Sequence, residues 1–164
     1  MSQSGITDPT LQTEWAIWYV EHLRIMQTVE GIDSAVRFQT LTSGWPPSLA
    51  MYSIRSPAVF QDPYYLSIRG MGPWATLIDK RFYQRNLFEA VHPVTQPLIA
   101  PSVPEGSTLV VTDQTRPTLE VEGLDFLWLK SVGLDQSTPY RGIAVTDQKL
   151  DASVRARPDI AVYV

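Results

Sequence analysis

The sequence predicts an α+β fold in which an antiparallel sheet carries one or two helices on one face. Three observations lead there. Between Leu11 and Val29 the apolar residues recur at helical spacing. On either side of Gly44-Trp45-Pro46-Pro47 lie strand-like runs, which read together as an antiparallel hairpin. Beyond a Pro-rich stretch from His92 to Pro104 the chain falls into short apolar runs without another long helical period.

Each element follows from its residues. Asp8 is a good N-cap and Pro9 suits the first helical position, where its missing N–H is no loss. The helical stripe then runs Leu11, Trp15, Trp18, His22, Ile25, Met26 and Val29, widened by Tyr19 and Leu23, and Gly31 stops it. A strand is expected from Ile32 to Leu41, with Ile32, Ser34, Val36 and Phe38 on one face and Asp33, Ala35, Arg37 and Gln39 on the other. Its hairpin partner runs from Ser48 to Ile54. Residues 57–69 could form a short helix that Pro63 interrupts, and Met71-Gly72-Pro73-Trp74 is a turn. A further strand is expected from Lys80 to Val91. Past the Pro-rich segment, strands are expected at Thr108–Thr112, Ile143–Thr146 and Ile160–Val164, and a strand or short helix at Phe126–Val132. The expected organisation is a first unit over residues 1–92, a connection over 93–104, and a β-rich extension over 105–164 that could equally be a degenerate second half of the same domain.

Composition narrows the function. A chain of 164 residues buries one good core or two small ones. Its net charge of −4 argues against a nucleic-acid partner, which demands a basic face. With no cysteine, disulfides, thiolate nucleophiles and Cys-based metal sites are excluded. The polar start, Met1 to Asp8, does not read as a signal peptide, and no run approaches the about 18 apolar residues of a membrane span. The expectation is a cytoplasmic protein with no membrane partner.

The stretch from Ser4 to Phe88 resembles the EthD-like members of the dimeric α/β-barrel superfamily. The resemblance rests on Ser4-Gly5-Ile6-Thr7-Asp8-Pro9, Glu14, Trp18-Tyr19, His22-Leu23, Val29-Glu30-Gly31-Ile32, Ala35 and Arg37-Phe38. The chain departs from the pattern in a very short first strand, a weak Pro-broken second helix, and everything beyond Phe88, on which the match is silent. The resemblance implies a ferredoxin-like βαββαβ unit whose sheet pairs with a second one to close a barrel, in a homodimer. It also implies a cavity between sheet and helices for a small organic molecule. Activities in relatives include cofactor-free cyclisation, isomerisation and oxygenation. No cofactor is expected, although haem, which some relatives bind, stays open.

His22 leads the candidates for chemistry, since a half-buried imidazole can act as a general base near neutral pH. It could equally be a packed, hydrogen-bonded histidine. Tyr19, beside it on the helix, could donate to a developing oxyanion or simply pack. Candidate ligand contacts are Trp15, Trp18, Met26, Arg37, Tyr52, Tyr83 and Arg85. Trp15 and Trp18 also suit a core, and Arg37 and Arg85 also suit solvent. Trp45, Trp74 and Trp128 read as core or interface, and Arg69 and Arg81 lie beside expected strands. His22 and His92 are the two histidines, without HxH or HExxH spacing, so no metal site is expected. Gly70-Met71-Gly72-Pro73 lacks the lysine of a phosphate loop. Two functional classes lead, ahead of a purely structural oligomer with the Trp-rich surface as its interface. One is a cofactor-independent isomerase, cyclase, dehydratase or oxygenase acting on a small aromatic or lactone-like metabolite. The other is a non-catalytic protein that binds a small ligand, in a stress response for example.

Overall fold

The computed structural model describes residues 1–40, 42–93 and 98–164. Eight strands form one antiparallel sheet. They are β1 (Ser2–Ser4), β2 (Ile32–Gln39), β3 (Ser48–Ile54), β4 (Gln84–Ala90), β5 (Thr108–Gln114), β6 (Leu127–Leu134), β7 (Tyr140–Thr146) and β8 (Ile160–Tyr163). Three α-helices accompany them: α1 (Gln12–Met26), α2 (Pro63–Ile68) and α3 (Ala152–Arg155).

The strand order is β2-β3-β1-β4-β6-β7-β5-β8. Counted within each half, strands 1–4 and strands 5–8 take the same spatial order, second-third-first-fourth. The two halves join where β4 pairs with β6. At the other end of the sheet Thr40 bridges Tyr163, and Gln39 and Val164 exchange two backbone hydrogen bonds of 2.8 Å. The Thr40 hydroxyl also donates to the Val162 carbonyl. The sheet therefore curls into a nearly closed barrel within a single chain, and the Pro-rich stretch links its two halves.

Alternation of side chains sorts the core into layers. Phe38, Leu49, Met51, Leu109, Val111, Leu129, Ile143, Ala161 and Tyr163 fill the barrel interior. Outside the first half, Trp15, Tyr19 and Leu23 of α1 pack on Ala50 and Ile78. Met26 and Val29 meet Ile32, Val59 and Tyr65. Outside the second half no long helix covers the sheet. Leu119, Val121, Leu124 and Phe126 from the β5–β6 connection, and Val154 of α3, pack on Val110, Ala144, Leu150 and Ile160 instead. Each large aliphatic side chain so buried contributes about 1.5–3 kcal/mol.

One polar cluster crosses the barrel interior. Arg141 of β7 is fully buried and grips Asp113 of β5 through Nε–Oδ1 and Nη2–Oδ2, both 2.7 Å, while its Nη2 donates to Gln3 Oε1 of β1 at 2.6 Å. Its guanidinium lies over the Phe88 ring, 5.3 Å from the centroid. The Arg141–Gln3 hydrogen bond thus ties the second half to the first.

Several elements differ from the sequence expectation, each for a local reason. Asp8 caps a short 3₁₀ turn (Pro9–Leu11) by accepting from Thr10 N–H at 2.9 Å, and α1 starts only after it. The buried face of α1 is Trp15, Tyr19, Leu23 and Met26, so its centre is Tyr19 and Leu23 rather than Trp18 and His22. Ile25 is 38% exposed. Pro63 does not interrupt a helix: it opens α2, with Asp62 as its N-cap accepting from Tyr65 N–H at 2.8 Å, after a separate 3₁₀ turn (Pro57–Gln61). β2 ends at Gln39, and Leu41, expected to finish it, lies outside the described residues, as do 94–97 of the Pro-rich stretch. β4 starts at Gln84, because Arg81 folds back to bind both Asp79 carboxylate oxygens and holds the preceding residues in a turn. Phe126 and Leu127–Leu134 resolve as an approach and a strand, not a helix. Among the described residues no helix is long and apolar enough to cross a membrane.

Candidate functional site

β1 is the shortest strand of the first half, and that sets the site. It pairs with β3 only from Ser48 to Ala50 and with β4 only at Gln84 and Arg85. Past these pairs, Met51–Ile54 of β3 and Leu87–Ala90 of β4 have no described strand between them. A cavity occupies this slot. Its walls include side chains from both faces of the sheet: Tyr52, Ile54, Tyr83 and Arg85 from the helix side, and Met51, Ser53, Asn86 and Phe88 from the barrel side. α1 contributes Tyr19, His22 and Met26, and α2 with the turn after it contributes Tyr65, Arg69, Gly70 and Met71. Leu98–Pro101 passes the barrel side, where the Ala100 N–H donates to Ser53 Oγ at 2.9 Å. The cavity volume is about 190 Å³, and the cavity opens to solvent. Most of the lining is apolar, with a few converging polar groups, as small-molecule sites commonly are.

His22 is half-buried, and its ring stacks on Trp18 with centroids 4.8 Å apart and planes 10° from parallel. Tyr19 meets it edge-on at 6.0 Å and 87°. Burial alone lowers the imidazole pKa below its ordinary 6.5, so the neutral base dominates at neutral pH. Tyr19 is almost fully buried, and burial raises its pKa; the Ser4 hydroxyl, the Arg37 guanidinium and the Ser2 hydroxyl oppose that rise. Burial likewise raises Tyr52 well above its ordinary value, aided by the neighbouring phenols of Tyr19, Tyr65 and Tyr83. The phenols therefore stay protonated and able to donate hydrogen bonds. No carboxylate lines the cavity among the described residues.

Of the residues singled out from sequence, His22, Tyr19, Met26, Tyr52, Tyr83 and Arg85 line this cavity, while Trp15, Trp18 and Arg37 do not. Trp15 is fully buried beneath, with an Nε1–H that finds no partner. Trp18 supports His22 from behind, next to Gly72. Arg37 is not solvent-facing. It lies between Trp15 and Tyr19, with its Cζ 4.7 and 4.6 Å from their ring centroids, and donates from Nε to Ser48 Oγ at 2.7 Å. Its buried Nη2 has no partner. His92 is exposed, away from the cavity. Tyr65 and Met71 were missed, and Arg69, weighed only as an arginine beside an expected strand, also lines the cavity. The signal for them was Asp62-Pro63, an N-cap followed by a first-turn proline, which places Tyr65 on a helix facing the sheet.

Among the described residues no group of three or more His, Asp or Glu side chains gathers to hold a metal ion. Comparison of the chain with protein-family models, with curated proteins and with solved structures finds no match.

Proposed function

We propose that this protein is a small-molecule enzyme of the dimeric α/β-barrel type, built as two ferredoxin-like halves in one chain, and that it acts without a cofactor. The reading is supported by the repeated strand order, second-third-first-fourth, in each half. In this view residues 105–164 are the degenerate second half, with the β5–β6 connection standing where a first helix would lie. The resemblance also implied a homodimer, because there two sheets close the barrel. Here the closing strands share one chain, so the reading no longer requires a second copy.

The observation that carries the catalytic part is the presence of His22 and Tyr19 on one wall of the same cavity. A neutral imidazole can remove a proton from a carbon or hydroxyl of a bound guest, and Tyr19 can donate to the oxygen where charge builds up. An isomerisation, cyclisation or dehydration of a small aromatic or lactone-like molecule needs these two functions and a wall that holds its apolar body beside them. The mostly apolar lining supplies the last.

The test is a thermal-shift screen of a metabolite collection, followed by NMR of each hit incubated with wild-type protein and with His22→Ala. Conversion by wild type, with His22→Ala still binding but no longer converting, is the expected result. Conversion that is unaffected by His22→Ala rules out the catalytic assignment. Binding without conversion by wild type favours the second reading, a protein that sequesters a small ligand in the same cavity.

A further inference from the structure

The cavity has an uneven distribution of charge and hydrogen-bonding groups. Arg85 enters it from β4, and its Nε–H is buried without a partner. The nearest carboxylate, Asp135, spends one oxygen on the Arg85 backbone N–H at 2.7 Å and approaches the guanidinium no closer than 3.8 Å. That separation exceeds a hydrogen bond, so Asp135 holds the guanidinium only as a loose ion pair. Tyr65 lies in its field: burial raises the Tyr65 pKa, while Arg85 and then Arg69 pull against it. Tyr83 packs beside Arg85, with the guanidinium 5.9 Å from its ring centroid. Among the described lining residues Arg85 and Arg69 are cations and none is acidic, so this end of the cavity is positively charged. The Arg85 side chain is 37% exposed, so water reaches part of it, but its buried Nε–H has no acceptor among the described residues, and an anion in the cavity would complete it. From this polar end the slot leads between β3 and β4 to Met51, Leu129 and Ile143 in the barrel interior, which are wholly apolar.

Building on the small-molecule reading above, we propose that the cavity takes an amphipathic organic acid: its anionic group sits on Arg85 with Tyr65 and Arg69 beside it, and its apolar body threads the slot between β3 and β4. The anion supplies the acceptor that Arg85 Nε lacks. The slot restricts the body to a flat or narrow shape, because it is a single strand wide.

The probes are a matched pair of fluorescent dyes, anilinonaphthalene sulfonate, which is anionic, and phenylnaphthylamine, which has the same aromatic body without the charge. Wild-type protein should bind both near one-to-one, and the anionic dye about tenfold more tightly. Arg85→Gln should weaken the anionic dye about tenfold and leave the neutral one unchanged. Arg55→Gln, which removes the same charge from an exposed ion pair with Asp33, should change neither. Asp135→Asn should tighten the anionic dye, because it removes the competing carboxylate while its amide oxygen can still accept from the Arg85 N–H. This variant shifts affinity in the opposite direction, so it decides the matter even if Arg85→Gln is poorly folded by near-UV circular dichroism. Equal affinity for the two dyes, or an anionic-dye affinity insensitive to both Arg85→Gln and Asp135→Asn, overturns the anion assignment and leaves the cavity reading standing. Failure of wild type to bind either dye overturns the cavity reading itself.

Discussion

Asp113→Ala should be among the most damaging single substitutions in this chain, although Asp113 does not line the candidate site. It removes the carboxylate that holds Arg141 through two 2.7 Å hydrogen bonds. Arg141 has no exposed side-chain surface, so the guanidinium cannot turn to water. Gln3 Oε1 would remain as its one strong acceptor. A buried ion pair broken from one side typically costs about 3–5 kcal/mol, mostly the penalty of the stranded charge. The Asp113 side chain is 27% exposed, so the lower half of that range is the better figure. For a chain of this size each kcal/mol lowers Tm by about 2–4 °C, giving a fall of roughly 6–16 °C. Urea unfolding followed by tryptophan fluorescence gives the free energy directly. The double variant Asp113→Leu/Arg141→Met, which removes both charges, should recover most of the loss. A cost below about 1 kcal/mol for Asp113→Ala, or a double variant no better than the single, would show that water reaches Arg141 and that the barrel interior is not dry there.

Other parts of the molecule are testable as simply. Gly142→Ala should cost about 1–3 kcal/mol in the same urea assay, because its Cβ would stand 2.9 Å from Thr112 Cγ2 and 3.0 Å from Phe126 Cδ1; a neutral result would mean that β7 and the β5–β6 connection can part. The His22 imidazole should titrate below 6.5 by NMR, since burial disfavours its charged form. The stability tied to its neutral form is then present above pH 6.5 and lost as pH falls through the folded-state pKa, and titration at or above 6.5 would place the ring in open solvent. Burial raises Tyr19, Tyr52 and, to about 12, Tyr163, so their contribution is present below pH 10 and lost as pH rises beyond it. Tyrosinate absorbance of native protein should lag that of urea-unfolded protein over this range; coincident curves would contradict the burial. Sedimentation at dilute concentration should find a monomer, as a barrel closed within one chain implies; a stable dimer would point to an interface elsewhere than the β2–β8 seam.

Much of the first half was legible along the chain because its signals are local. The helical stripe locates α1, and Asp8-Pro9 and Gly31 mark the turns before and after it through capping and backbone geometry, which depend on few neighbours. Gly31 indeed takes φ +91°, a conformation ordinary side chains avoid. The hairpin of β2 and β3 was legible for the same reason. His22 and Tyr19 followed from the stripe, yet the same stripe offered Trp15 and Trp18 as ligand contacts, and neither lines the cavity. Helical periodicity says which residues share a face, but not which of them lies at its centre once the helix meets a sheet. Arg37 alternates with polar neighbours along β2 as a solvent-facing residue would, and only the aromatic rings of α1 turn that face into an interior.

By itself, the sequence determined the class, α+β, the position of the main helix, and an acidic, cysteine-free chain carrying an imidazole beside a phenol. Tertiary structure alone decided that the two halves share one sheet, that Thr40 meets Tyr163 to close it, and that a slot remains open between β3 and β4. The physical reason is range. Caps, turns and periodicity act over a few residues, whereas strand pairing joins segments more than a hundred residues apart, and the cavity is defined by where a strand ends, which no local pattern records.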